Sequence, residues 1–363
     1  MSKSKRSPTR LARPITPSDK PIGLRDLAAH LGLSRSTVSL VLNNSPVAQG
    51  LKAETRERVL KAAAELNYKA NYFARVLNKK RSHMIGILSP DLTEGYDSEL
   101  LTAMEGLLIE RNYVYFISSH HWNRDLVHQL LQIFAERGAE GVILINTPVD
   151  APPNIPLVSI GSLAHEFPVT RIVIDNAVGV HKALDYLYSL GHREIAFFKG
   201  HAGSSDTEAR WAAYQEGCRK LGLPVDERLI VQLERIRDGL DPISEGYQAA
   251  GKLLKSGQPF TALMAFNDMS AVGAIHALRD AGKRVPEDVS VVGFDDVQAA
   301  TIVQPPLTTI RQPLERMGVL ATTEMLARIE DPLHAVTEFL IEPELVVRKS
   351  CAACPQPEPV AVG

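Results

Sequence analysis

The sequence predicts two kinds of architecture in one chain: a small all-α helix-turn-helix head, then a two-lobed α/β body of parallel sheets. Three observations predict it. Charge divides the chain, with 17 basic and 5 acidic side chains over residues 1–81, a net of +12, and 23 and 37 over the other 282 residues, a net of −14. Apolar residues within 21–67 recur with the period of short helices. From Met84 onward, short apolar runs alternate with amphipathic stretches, the pattern of strands and crossover helices in a parallel sheet. The 363 residues, 45% hydrophobic and 23% charged, suffice for several cores. No apolar run approaches the roughly 18 residues of a membrane helix.

Residues 1–20 carry six basic side chains among prolines and serines and read as a flexible basic arm. No apolar stretch follows that would make them a secretory signal. Three cysteines occur, two of them at Cys351 and Cys354, so a reducing compartment is expected rather than a disulfide framework. Residues 21–67 form the head. Leu24, Leu27, Ala28 and Leu31 predict one apolar helix face, and Gly32 can end that helix in the left-handed conformation. Ser34 fits as N-cap of a second helix, Arg35 to Leu42. There Val38, Val41 and Leu42 face inward, and Arg35, Ser36, Ser39 and Leu40 partly outward. A third helix, Glu54 to Leu66, has Val59, Leu60, Ala63 and Leu66 as its apolar stripe. Helix, glycine turn and short second helix make a helix-turn-helix unit. A major groove roughly 12 Å wide admits one helix, whose N-terminal end reads base edges. Arg35 and Ser36 stand at that end. A helical bundle without a ligand has the same apolar pattern; the net charge of +12 favours a DNA partner.

Two runs in the head, Leu24-Arg25-Asp26-Leu27-Ala28 and Gly32-Leu33-Ser34-Arg35-Ser36-Thr37-Val38-Ser39-Leu40-Val41-Leu42-Asn43, resemble the LacI/GalR (lactose/purine repressor) family of bacterial transcription regulators. So do Glu54-Thr55-Arg56-Glu57-Arg58-Val59 and Glu65-Leu66-Asn67-Tyr68. The resemblance continues to about residue 348. It implies that Arg35, Ser36 and Leu40 read bases, while Thr37, Ser39 and Asn43 contact the DNA backbone or brace the helix. Leu40 departs from the arginine common in the family; leucine donates no hydrogen bond and would meet a thymine methyl. Leu51-Lys52-Ala53 replaces the serine-rich start of the third helix. Residues 68–83 match the hinge. The resemblance implies that Asn71 to Arg81 folds as a helix on DNA, with Ala74 and Leu77 as DNA contacts and Leu77 as a minor-groove wedge. Ala70 stands where the family has a proline that would stiffen the entry. Without the family, this stretch reads equally as a basic linker.

Residues 84–348 form the body. Strand-like runs are Met84–Leu88, Tyr113–Ser118, Gly141–Asn146, Leu157–Ile160, Arg171–Ile174, Ile195–Phe198, Ala262–Ala265 and Val289–Gly293. Helix-like stretches are Ser98–Arg111, Asp125–Arg137, Asn176–Leu190, Asp206–Leu221, Glu245–Lys255 and Asp268–Ala281. This exceeds one ordinary sheet, so two lobes are expected, with a ligand cleft at the carboxyl ends of their strands. The family's body is similar to a periplasmic sugar-binding protein. The matching motifs include Leu190-Gly191-His192-Arg193, Ala265-Phe266-Asn267-Asp268, Val292-Gly293-Phe294-Asp295-Asp296 and Pro306-Leu307-Thr308-Thr309. The resemblance implies effector contacts at Tyr96, Asp97, Arg210, Asn267 and Asp295. Read alone, Asp295 is also a helix N-cap and Arg210 a surface ion pair; Asp268 reads as an N-cap. His121 and Trp122 can stack on a sugar face. Gly161 stands where some sugar-binding members carry a polar residue, so that position names no effector.

Asp295-Asp296, His120-His121 and Cys351-Ala352-Ala353-Cys354 look chemical in isolation. One CxxC supplies two ligands where zinc takes four. The loop Gly200 to Ser205 lacks the Lys-Ser/Thr of a phosphate loop, and no nucleophile–base pairing is evident. No metal, cofactor or catalytic residue is expected. Residues 349–363, proline-punctuated and without heptads, read as a disordered tail, so the family's dimer is expected rather than its tetramer. The expectation is a cytoplasmic, nucleoid-associated regulator, a repressor without a membrane partner. It binds double-stranded operator DNA of palindromic sequence as a homodimer, under a small-molecule effector, a sugar or sugar derivative. The alternative is a cytosolic sugar-binding protein or sugar enzyme with no DNA role, which the head opposes.

Overall fold

The first helix, α1 (Leu24–Leu31), stops where Gly32 takes φ +63°, and the second, α2 (Arg35–Leu42), starts where the Ser34 hydroxyl accepts the Thr37 N–H at 3.0 Å. Both are features of a computed structural model, which describes residues 22–43, 45–68, 81–92, 95–151, 153–161, 167–202, 204–235 and 241–355. The chain divides into two units, residues 1–81 and 82–363. In the first, a 3₁₀ turn (Pro46–Gly50) leads to α3 (Ala53–Glu65). Leu27, Val38 and Val59, one from each helix, are wholly buried and centre the core. The α3 stripe differs from expectation: Val59, Ala62 and Ala63 are buried, while Leu60 is 54% exposed. Residues 59 and 60 lie about 100° apart around a helix, and only one can face a core this narrow.

The second unit has two six-stranded sheets. The first lobe contains β1 (Met84–Ser89), β2 (Val114–Ser119), β3 (Gly141–Ile145), β4 (Leu157–Ile160), β5 (Thr170–Ile174) and β11 (Glu338–Ile341), in the order β11-β5-β4-β3-β1-β2 and parallel throughout. The second contains β6 (Ile195–Lys199), β7 (Ile230–Gln232), β8 (Ala262–Met264), β9 (Ser290–Asp295), β10 (Thr308–Arg311) and β12 (Glu344–Val346), in the order β12-β10-β9-β8-β6-β7. Its edge strand β12 runs antiparallel to β10, so the body is not parallel throughout. Helices α4 (Gly95–Glu110) and α5 (Arg124–Glu136) belong to the first lobe. Helices α6 (Asn176–Ser189), α7 (Ser205–Leu221), α8 (Pro242–Ser256), α9 (Asp268–Asp280) and α10 (Gln298–Ile302) belong to the second. The chain returns through α11 (Leu314–Glu330), which packs on α4 and on β3, β4 and β5. It crosses between lobes three times, after β5, after β10 and between β11 and β12. Separate buried clusters cover both faces of each sheet, as parallel sheets require.

Several elements lay beyond the sequence reading. β7, β10, β11 and β12 have three or four residues each, and three of them are sheet edges whose partly exposed residues dilute the apolar signal. α11 contains Gly318 and two threonines, all poor helix formers. A Cβ at Gly318 would stand 2.8 Å from the Leu100 carbonyl, so close packing of α11 on α4 explains the glycine. The boundaries also shift. Ser82, expected in the linker, is buried and its hydroxyl donates to the Gly138 carbonyl at 2.5 Å, so the body starts there.

The expected disordered tail is a correction: residues 349–355 pack on the second lobe. Ser350 is wholly buried, its hydroxyl donating to the Val291 carbonyl at 2.6 Å and accepting the Thr308 N–H at 2.8 Å. The Cys354 N–H donates to Leu190 at 2.8 Å, and the buried His192 imidazole reaches the Ala352 carbonyl at 3.1 Å. Residues 356–363 lie outside the described ones.

Candidate functional site

Two sites emerge, one in each unit. In the head, Arg35 and Ser36 begin α2, both exposed, and neither has a side-chain partner among the described residues. The other expected contacts are partly committed. Thr37 shares a hydrogen bond with the Ser34 hydroxyl at 2.9 Å. Asn43 donates to the Ser39 carbonyl at 2.9 Å and hydroxyl at 3.1 Å, closing the end of α2. Leu40 is half-buried against the head core. Ala74 and Leu77 lie outside the described residues.

In the body, the carboxyl ends of the strands of both lobes meet around a cavity of about 100 Å3. At roughly 10–15 Å3 per water centre, that admits several waters or one compact polyol. All five expected residues line it: Tyr96, Asp97, Arg210, Asn267 and Asp295. Tyr96 and Asp97 stand in the first turn of α4 rather than before it. The Asp97 carboxylate accepts the Ser89 hydroxyl at 2.7 Å. Arg210, 5% exposed, donates through Nε to Asn176 Oδ1 at 2.8 Å and through Nη1 to the Phe266 carbonyl at 2.5 Å. Its guanidinium lies 3.6 Å over the Phe294 ring. Asn176 in turn donates to Asp206 at 2.8 Å, so one amide orients both a cation and an anion of the wall.

Asp295 ends β9 with φ +117° and accepts from Gln312 Nε2 at 2.7 Å. Its neighbour Asp296, φ +63°, points elsewhere and pairs with Arg311 at 2.7 Å and Arg348 at 2.5 Å. A backbone so uncommon for non-glycine residues is held by these partners on both sides. Burial pushes the Asp97 and Asp295 carboxyls up to about 7, against the Ser89 hydroxyl in one case and the Arg210 charge in the other.

The N-cap assignments change. Asp295 caps no helix, and neither does Asp268. Asn267 is the cap of α9, accepting the Ser270 N–H at 2.9 Å. Asp268 is wholly buried, holding the Thr309 hydroxyl at 2.5 Å and the Val297 N–H at 2.9 Å. Trp122 lines the cavity; His121 does not and is exposed. His201, Glu245, Asp206, Asn146 and Gln312 line it without having been expected. His201 Nε2 and the buried Glu245 carboxylate are 2.7 Å apart. The small-residue run from Gly200 hinted at the loop that carries His201. Gly161, φ +115°, leaves room that Asn146 fills: a Cβ there would stand 2.2 Å from Asn146 Oδ1. Among the described residues no helix is long and apolar enough to cross a membrane, and no cluster of metal-ligating side chains occurs.

Comparison with known proteins covers both units. Residues 23–71 match the model of bacterial regulatory proteins of the lacI family, and 184–351 that of a periplasmic binding protein-like domain. The transcriptional regulator DegA of Bacillus subtilis is 31% identical over 336 residues, 90% of this chain and 96% of DegA. A crystal structure of the lac repressor dimer, bound to operator and the anti-inducer ONPF, superposes with a TM-score of 0.81 at 26% identity, over 92% of this chain and all of that one. The complex of the regulator CelR with cellobiose gives 0.68 at 28% identity, over 91% of this chain and all of that one. Its relatives are transcription regulators rather than enzymes. With a helix-turn-helix head, a two-lobed binding body and relatives matched over nearly their whole length, the chain belongs to the LacI family of bacterial regulatory proteins.

Proposed function

We propose that this transcription regulator is a cytoplasmic repressor. It binds a palindromic operator as a homodimer and answers to a hydroxyl-rich effector, a sugar or sugar derivative, in the interlobe cleft. Arg35 and Ser36 read bases, Leu40 meets a thymine methyl, and Thr37, Ser39 and Asn43 set the pose of α2 on the phosphates. Ala74 and Leu77 contact the minor groove at the operator centre. Tyr96, Asp97, Arg210, Asn267 and Asp295 bind the effector.

The observation that carries the reading is the chemistry of the cleft. Asp97, Asp206, Glu245 and Asp295 offer acceptors around a single guanidinium, with the Trp122 ring beside them. An acceptor-rich, partly aromatic wall suits a ligand that presents many O–H donors and one apolar face. The likeness to a regulator that binds cellobiose supports a carbohydrate. The likeness to a repressor dimer on operator DNA supports two-fold binding, for which a palindrome is the matching sequence.

The test starts from the purified full chain. Selection from random duplexes should yield one inverted repeat, bound with affinity that falls steeply as salt rises. Sedimentation should give a dimer. Thermal-shift screening against neutral sugars and sugar acids should find a ligand that alters operator binding. Enrichment of no sequence would overturn the DNA reading, and a ligand that stabilises the chain without touching operator affinity would overturn the coupling.

A further inference from the structure

The cleft has an outer compartment whose chemistry is opposite to that of the inner one. A cavity of about 200 Å3 is lined by His120, Trp122, Arg124, Pro148, Ala202 and Arg235, among others. Trp122 lines both cavities and so forms the partition between them. The backbone that carries the indole is held in place. His121 and Trp122 take φ +48° and +59°, and the Trp122 backbone N–H donates to His120 Nδ1 at 3.1 Å.

The inner lining has five carboxylates and one guanidinium, that of Arg210, whereas the outer lining has no carboxylate and two guanidiniums. The Arg235 guanidinium lies 3.9 Å from the centre of the Trp122 ring. Arg235 is exposed and forms no ion pair among the described residues. The nearest acid to Arg124 is Asp150, at 3.7 Å and exposed. His120, pushed down to about 4 by burial, stays neutral and faces the Thr147 hydroxyl at 3.0 Å, so the two arginines set the local charge. The chain beyond residue 81 carries a net −14, so a cationic pocket here runs against the surrounding field.

We propose that the outer compartment is an anion subsite: the effector bears a phosphate or carboxylate seated against Arg235 and Arg124, across Trp122 from a hydroxylated body in the inner cavity. This deepens the cleft reading above and rests on it. Guanidinium groups present paired donors that match both oxyanions, and stacking on an indole holds Arg235 in place for the task. A neutral sugar would leave Arg235 without an ion pair and Arg124 with only the exposed Asp150. A sugar phosphate or sugar acid meets both halves of the cleft.

The chain has two tryptophans, so Trp211→Phe in the full-length protein leaves Trp122 as the sole indole reporter. Emission is followed while inorganic phosphate, glucose 6-phosphate, glucuronate and glucose are added at constant ionic strength. Inorganic phosphate should give a saturable change in the millimolar range. Arg235→Gln should raise its midpoint at least fivefold and Arg235→Lys should restore part of it, with melting temperatures unchanged because the side chain is exposed. The sugar phosphate and the sugar acid separate the two kinds of anion. No saturable response up to about 100 mM phosphate, or an equal midpoint in Arg235→Gln, overturns the subsite. Neutral sugars binding without any Arg235-dependent anion response would leave the sugar reading standing and sink this one. Arg235-dependent phosphate binding with no sugar or sugar acid bound would do the reverse.

Discussion

The head and the cleft keep their recognition groups in opposite states. Arg35 and Ser36 stand exposed and unengaged at the start of α2, while the head is held together by a different set, Leu27, Val38 and Val59. In the cleft, Arg210, Asp97, Asn267 and Asp295 are each 8% exposed or less, and each already holds a hydrogen bond inside the protein. Recognition and stability are thus separable in the head and shared in the cleft. A phosphate backbone is reached by exposed donors in water. A small ligand is bound by groups whose positions are fixed beforehand, which lowers the ordering cost on binding.

The largest expected effect breaks the head through its core. Leu27→Ala removes a wholly buried side chain, which costs about 2–5 kcal/mol, a large share of the stability of a unit this small. Operator binding at 37 °C should vanish while ligand binding in the cleft is unchanged. Retained operator binding would show that the head draws its stability from elsewhere. Next comes Arg210→Ala, which leaves Asn176 Oδ1 and the Phe266 carbonyl without their donor. The body should lose about 1–3 kcal/mol, and the effector concentration needed for response should rise about tenfold or more. Loss of response at wild-type melting temperature would mean that Arg210 serves ligand alone and that the cleft resembles the head.

Arg35→Ala tests the other side. It should cost about 1–3 kcal/mol at one base pair of the operator, relax preference there, and leave the melting temperature within error. Equal weakening across all operator variants would make Arg35 a phosphate contact.

The head was legible because its periodicity lies in contiguous sequence: helix, glycine and serine cap are read within a stretch of about twenty residues. Its slip in α3, Leu60 for Ala62, is a choice between residues two apart that spacing alone leaves open. The place of the cleft followed from the alternating strands and helices, but most of its residues were legible only through family likeness. Its walls come from Asp97, Arg210, Asn267 and Asp295, far apart in sequence and joined only by sheet order. Glu245 carries no local signature, and the small-residue run from Gly200 marked the loop of His201 without marking what the side chain does. The cap at Asn267 was readable in principle, since Ser270 stands three residues on and completes a capping box. Asp268 was preferred for that role, a one-residue error, because a buried aspartate serving Thr309 and Val297 looks the same in sequence. The tail was misjudged because its prolines are visible in sequence and the pocket for Ser350 is not.

The smallest expected effect is a slope rather than a loss, and it belongs to the cleft alone. Asp97 is 6% exposed, and burial raises its carboxyl to about 7 from an ordinary 3.8. The folded chain therefore holds that proton more tightly than the unfolded chain. The resulting stability is full below about pH 4 and is lost as pH rises through about 7. Asp97→Asn removes the titration while keeping an oxygen to accept the Ser89 hydroxyl. Urea melts of both proteins between pH 5 and 8 should show the variant gaining on wild type as pH rises, because only the wild type then ionises a buried carboxyl at position 97. A saturating neutral effector that donates O–H groups to the ionised form should flatten that slope, since it supplies the hydrogen bonds that burial withholds. A difference between the two proteins that stays constant across this range would mean that water reaches Asp97 freely, and the contrast between an exposed head and a closed cleft would fail at that residue.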